Sequence, residues 1–243
     1  MRTFLCAYFC KRHGREFTLD PQQYTDLRIP RVVYSHDLFE YRTKGDRWDQ
    51  LRGKYLVPAR ELRHAKVILL ARDPRDCFVS LYLQMTRRDP ATAEKLKKRP
   101  ISEVLRDGRF GIQAIVRTMN EWINELCGRP GFTLLRYESL RAAPTEQFRA
   151  LLALLGEATP NMSILKEAIE FSRFENMQKM EAVGAFESKI LRAGDVHDPE
   201  SFKVRRGKVG GYREYLSADD QQYAAQAIST LDRRFGYNES MDY

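Results

Sequence analysis

An arginine at the end of an apolar run, one residue ahead of a helix start, is a place where an anion can be held. The stretch Lys66–Met85, KVILLARDPRDCFVSLYLQM, contains that arrangement. Val67–Ala71 is short, apolar and rich in β-formers, as a parallel strand covered on both faces requires. Asp73 has the side chain of an N-cap, and Pro74 presets φ for a first helical position. Arg72 therefore falls at the carboxyl end of a strand, where ligands bind in open α/β sheets. The free N–H groups of the following helix favour an anion there, and a guanidinium fork suits phosphate. Ser80, two turns further along the polar face with Asp76, Gln84 and Arg87, adds a hydroxyl. The residues alone leave a second possibility open, in which Arg72 pairs with Asp76 or Asp73 and Ser80 is simply solvated.

The elements that must position these groups follow from periodicity. Residues 2–13 predict a helix with a Phe4, Leu5, Tyr8 and Phe9 stripe, ended by Gly14. It carries no N-cap. Arg31–Tyr34 reads as a short strand with Ser35 and His36 at its end, and Arg60–His64 as a helical turn. The stripe from Ile112 to Leu126 is a strongly amphipathic helix stopped at Gly128. Phe132–Tyr137 predicts a third strand, Pro144 opens a leucine-rich helix, and another helix covers about 161–170. Residues 182–211 lack periodicity and hold six glycine or proline residues, which reads as a long loop or lid. Ser217 caps the last helix. Strands alternating with helices imply a three-layer α/β fold, a mostly parallel sheet flanked by helices. No repeat or composition break divides residues 1–243, so a single domain is expected.

With 43% hydrophobic and 30% charged residues the composition is that of a folded globular chain. The net charge of +8 suits phosphorylated or polyanionic partners without selecting among them. The positive charge is scattered and no stacking motif accompanies it, so a nucleic-acid-binding module ranks last among the function classes. Thr3–Cys10 is too short to span a bilayer, and no targeting segment is expected. Cys6, Cys10, Cys77 and Cys127 read as reduced thiols of a cytoplasmic protein. Cys6, Cys10 and His13 share one helical face but make a poor closed zinc site without a fourth ligand, so no metal is expected.

Four stretches in a fixed order carry a family resemblance. ARDPRDCFVSLY at 71–82 resembles the R-N-P-K-D and V-S-Y-Y signature of sulfotransferases that use 3′-phosphoadenosine 5′-phosphosulfate (PAPS). LRYESL at 135–140 is similar to that family's strand ending in Y-E-D-L, and FSRFENM at 171–177 to its T-S-F-x-x-M. FKVRRGKVGGYREY at 202–215 resembles its R-K-G-x-x-G-D-W-K segment. The resemblance runs from about Pro30 to the end.

It implies a P-loop-like sulfotransferase fold and transfer of a sulfuryl group to a hydroxyl or amine of a small-molecule or glycan acceptor, with adenosine 3′,5′-bisphosphate as product. Position by position, Arg72 and Ser80 would hold the nucleotide's 3′-phosphate, with Arg205, Arg206 and Gly207 closing on it from the lid. Tyr137, Ser172 and Phe174 would line the adenine, and His36, in YSHD, falls where the family places its general base. By residue chemistry alone, Tyr137 and Phe174 also read as core aromatics, Arg205–Lys208 as a solvated basic face, and His36 as a structural histidine.

Departures accompany the likeness. The family's opening phosphosulfate loop, of the type P-K-S-G-T-T-W, has no counterpart here, and the resemblance places Met1 immediately after it. The chain as given is then expected to lack the first strand, the loop's lysine and its amide nest, and to bind nucleotide weakly. Arg173, Arg206 and Gly211-Tyr212 replace the family's serine, lysine and D-W. Two readings of different class follow: a sulfotransferase, or a phosphonucleotide-binding protein without turnover.

Overall fold

Val67–Ala71 forms strand β1 and Phe132–Arg136 forms strand β2, paired in parallel with Val67 opposite Phe132 and Ala71 opposite Arg136. Equal lengths and an in-register ladder bring both carboxyl ends to the same edge. The computed structural model describes residues 1–20, 24–43, 47–54, 56–88, 99–185, 195, 197–205 and 207–238. Among these the sheet has two strands, and the rest is mainly helix, an α/β arrangement with a small parallel sheet. No helix among them is long and apolar enough to cross a membrane.

The chain divides into two compact units. One comprises Met1–Val33, Leu83–Ala93 and Ser139–Gly207; the other comprises Tyr34–Tyr82, Glu94–Glu138 and Lys208–Tyr243. In the first, the helix Arg2–Arg12 packs on the helix Met162–Phe171, which also meets Pro144–Leu154 and Phe174–Ala182. Phe4 and Phe148 stack with ring centroids 3.7 Å apart, and the buried Tyr8 hydroxyl accepts the Asn161 N–H at 3.1 Å. Asn161 in turn caps its helix by accepting from the N–H groups of Ser163 and Ile164. The expected stripe of Phe4, Leu5, Tyr8 and Phe9 is buried.

In the second unit the helix Ile112–Leu126 packs on β1 and on the helices Asp37–Thr43 and Ala218–Ile228. Ile112, Ala114, Ile115, Val116, Met119 and Ile123 give it a buried face at helical spacing. The buried Asp220 joins two helices of this unit. It accepts from the hydroxyls of Ser102 and Ser217 and pairs with Arg106.

Two expectations are not met, and three short helices stand where none is expected. Residues 31–34 are not a strand; the ladder here is confined to β1 and β2, and a strand exists only where a ladder forms. Strand β2 stops at Arg136, and Tyr137 opens the helix Tyr137–Ala142. The helices Asp37–Thr43, Arg47–Leu51 and Ile101–Leu105 are too short to show a clear period in the sequence. Part of the expected 182–211 loop, residues 186–194, 196 and 206, lies outside the described residues.

Burial alone would raise the Asp220 carboxyl, but hydrogen bonds from Ser102, Arg106 and Ser217 hold it below the ordinary Asp value. A depressed carboxylate stabilises the fold above its unfolded pKa of about 4 and ceases to do so as pH falls through its folded value. Asp220→Asn should therefore cost about 1–3 kcal/mol at pH 7. Urea unfolding should show that deficit shrinking below about pH 4. A deficit independent of pH would mean that the charge plays no part.

Candidate functional site

The groups singled out at the strand ends meet within the second unit. Arg72 and Tyr137 each stand directly after the last residue of the β1–β2 register, and the Arg72 guanidinium lies over the Tyr137 ring, 4.7 Å from its centroid. Arg72 Nη2 donates to the Lys208 carbonyl at 3.0 Å and stands 3.4 Å from Asp76 Oδ2. Its Nε is buried and has no hydrogen-bond partner among the described residues. The pairing with Asp76 left open by the sequence is thus made, yet it occupies one end of the fork only.

Asp76 is the residue that the sequence placed wrongly. Its position on the polar stripe of the helix Pro74–Arg87 predicts exposure, but it is 3% exposed. Its two oxygens accept the backbone N–H groups of Gly210 and Tyr212, each at 2.9 Å. A buried carboxylate is tolerated when its lone pairs are filled by N–H donors and a cation stands beside it. The turn at 210–212 and the Arg72 side chain are both fixed by this one group. Gly210 has φ +72°, the left-handed conformation that a glycine adopts without strain.

Asp73 fills its expected place at the helix start, accepting the Arg75 N–H at 2.9 Å and pairing with the Arg75 guanidinium at 2.6 Å. Arg75 lies over the Tyr212 ring. The Asp73 N–H donates to Glu138 Oε1 at 3.0 Å, and the Tyr237 hydroxyl donates to Glu138 Oε2 at 2.6 Å. Burial, reinforced by that hydrogen bond, raises the Tyr237 pKa far above the ordinary value. Burial also pushes the neighbouring Cys77 thiol up to about 12, so it stays protonated. Glu138 thereby ties the first turn after β2 to the first turn after β1. Its presence in the 135–140 motif was the signal available for it.

Ser80 is exposed on the helix Pro74–Arg87, two turns past its start. His36 is exposed immediately before the helix Asp37–Thr43, and its carbonyl accepts the Phe39 N–H at 3.0 Å.

The first unit holds the remaining predicted residues. Ser172 ends the helix Met162–Phe171, its hydroxyl donating to the Ile169 carbonyl at 3.1 Å. Phe174 opens the next helix, and its ring lies against Gly207: a Cβ there would come within 2.5 Å of ring atom Cδ2. With φ +59° as well, position 207 requires glycine on both counts. Arg205 is 16% exposed and pairs with Glu200 at 3.1 Å, while its carbonyl accepts from Gln178 at 3.1 Å. The buried Glu181, another residue that the sequence left unmarked, accepts the N–H groups of Lys203 and Val204 at 2.6 and 2.8 Å. Phe174, Arg205 and Gly207 are thus brought together around one helix. Arg206 lies outside the described residues.

The family described as "Sulfotransferase domain" matches residues 53–236. A crystal structure of mouse sulfotransferase SULT7A1 complexed with PAP aligns at a TM-score of 0.49 and 15% identity, over 72% of this chain and 62% of that one. A retinol dehydratase in complex with androsterone and inactive cofactor PAP aligns at a TM-score of 0.50 and 19% identity, over 73% of this chain and 51% of that one. At such identity the second likeness is one of fold. The chain spans between half and two thirds of the length of these structures. No curated protein matches it.

Removing the Asp76 carboxylate leaves two buried N–H groups without an acceptor and Arg72 without its partner. Asp76→Ala should cost about 2–4 kcal/mol, and Asp76→Asn, which keeps one acceptor oxygen, less. Chemical denaturation of the two variants checks the order; equal and negligible losses would show that Asp76 holds nothing.

Proposed function

The chain belongs to the sulfotransferase domain family, and on that premise we propose that it transfers a sulfuryl group from PAPS to a hydroxyl or amine of an acceptor. The observation that supports this most is the Arg72 fork. A buried Nε–H without a partner among the described residues, beside the N-terminus of a helix and at the carboxyl end of a parallel strand, is a donor suited to an anion. A phosphate oxygen satisfies it, and Arg72 is held in place by Tyr137, Lys208 and Asp76. Arg72 and Ser80 are accordingly assigned to the nucleotide's 3′-phosphate and Tyr137 to its base. For Ser172, Phe174, Arg205, Arg206 and Gly207 the family resemblance supplies the assignment, to adenine and phosphate.

When bound, the phosphosulfate supplies the sulfuryl group, which ends on the acceptor oxygen or nitrogen, with the nucleotide 5′-phosphate as leaving group. His36 is the proposed base. It is exposed, as a group that must meet a diffusing acceptor has to be, and a neutral imidazole nitrogen is the usual side-chain proton acceptor in such chemistry. Its task is to remove the acceptor proton as the new bond forms. Catalysis otherwise rests on positioning and on cationic groups facing developing negative charge. The thiols Cys6, Cys10, Cys77 and Cys127 are unpaired, which fits the reducing cytoplasm as the location.

Two substitutions separate binding from chemistry. Arg72→Ala should weaken adenosine 3′,5′-bisphosphate binding about 10–100-fold in a calorimetric titration, the loss of a charge-assisted contact. His36→Ala should leave that affinity intact and lower turnover about 100-fold or more. Unchanged nucleotide affinity in Arg72→Ala refutes the donor-site assignment. Nucleotide binding without turnover toward a panel of phenol, sugar and amine acceptors would make the chain a binding protein instead.

A further inference from the structure

The last turn of the helix Asp37–Thr43, the start of the helix Ile112–Leu126 and the Gly108–Arg109 turn surround a cavity of about 220 Å³ within the second unit. Three arginines line it, Arg42, Arg109 and Arg117, and no acidic side chain is among its described lining residues. Phe39 supplies an apolar wall and Thr118 a hydroxyl. The arginines are braced largely by neutral groups. Arg109 donates to the carbonyls of Arg42 and Thr43 at 3.3 and 2.7 Å, and Arg117 to the Gly108 carbonyl at 3.3 Å. Arg42 donates to Thr118 Oγ1 at 3.1 Å and pairs with Glu121, which does not line the cavity. Carbonyls fix a guanidinium without cancelling its charge, and among the described residues the carboxylates acting on Arg42, Glu121 and Glu125, stand outside the cavity lining. Burial, followed by the nearby Arg117 charge, lowers the Arg42 pKa against the opposing pull of Glu125 and Tyr41.

We propose that this cavity is the acceptor's anion subsite, taking a carboxylate, sulfate or phosphate group on the molecule that receives the sulfuryl group. The link to chemistry is the helix Asp37–Thr43, which begins directly after His36 and carries Arg42 six residues further on. Six helical residues span about 9 Å along the axis. An acceptor whose reactive hydroxyl and anionic group are separated by roughly one ring and a short chain bridges that interval. The cavity is smaller than whole-ligand pockets, typically about 300–1,000 Å³, which fits one end of a molecule. The role of His36 and the identity of the bound molecule as sulfuryl acceptor rest on the sulfuryl-transfer reading; the arginine cluster as an anion site stands without it.

The test uses para-hydroxyphenylpropionate and its neutral methyl ester as probes in calorimetric titrations of the full chain. The acid should bind at least about tenfold more tightly than the ester, the equivalent of one charge-assisted pair. In Arg117→Gln, an exposed position whose loss leaves the core untouched, that preference should fall to within about twofold of none. Arg109→Gln is the second variant. Equal affinity of acid and ester, no binding of either, or a preference surviving in both variants overturns the proposal. So does inorganic sulfate binding as tightly as the acid, which would make the cavity a free-ion site. A parallel titration with adenosine 3′,5′-bisphosphate reports on the donor reading alone. If that nucleotide fails to bind while the acid keeps its preference, sulfuryl transfer falls and the anion subsite stands; the reverse result removes the subsite only.

Discussion

The carboxylate of Asp76 accepts two backbone N–H groups from the 210–212 turn and faces the Arg72 guanidinium. A buried charge must have its lone pairs filled, and the groups that fill them lie more than 130 residues away in sequence. The turn cannot move without exposing the carboxylate to an unpaired state, and Arg72 cannot swing away without leaving it uncompensated. Arg72 is thereby held stacked on Tyr137 at the edge where both parallel strands end. Pre-organisation of this kind places a donor before the anion arrives, so that little side-chain entropy remains to be lost on binding.

The same device recurs in the first unit. Glu181 is buried and accepts the N–H groups of Lys203 and Val204, just ahead of Arg205. Gly207 then closes against the Phe174 ring in a left-handed conformation that a larger residue could neither adopt nor fit. In each case an irregular, glycine-rich stretch gains a fixed path from a helix-borne carboxylate instead of from a ladder or a helix of its own. Such stretches have no periodic apolar face to bury, and satisfying their backbone donors is the remaining way to order them.

Much of this was legible beforehand because the signals were local. The strand at 67–71, the Asp73-Pro74 helix start, the stripes of Arg2–Arg12 and Ile112–Leu126 and the Ser217 cap each depend on neighbours within one or two turns. The place of Arg72 at a strand end followed from them. The pattern predicts Tyr137 as the end of a strand, and it opens a helix instead, a shift of one residue at a boundary where the ladder stops. The strand expected at 31–34 is absent from the ladder, because pairing, not propensity, makes a strand.

The sequence by itself determined the α/β alternation, the four motifs of the sulfotransferase family and the strand-end position of Arg72, since all of these are patterns of residue type at short spacing. Only the tertiary structure decided which charges are buried and what they face. Asp76 looks like a solvated helix position in one dimension, Glu181 carries no mark, and Arg42, Arg109 and Arg117 look like scattered surface charge. Their roles arise from backbone and side-chain groups distant in the chain. Burial and pairing of a charge depend on the dielectric and the donors around it in space, which residue spacing does not encode.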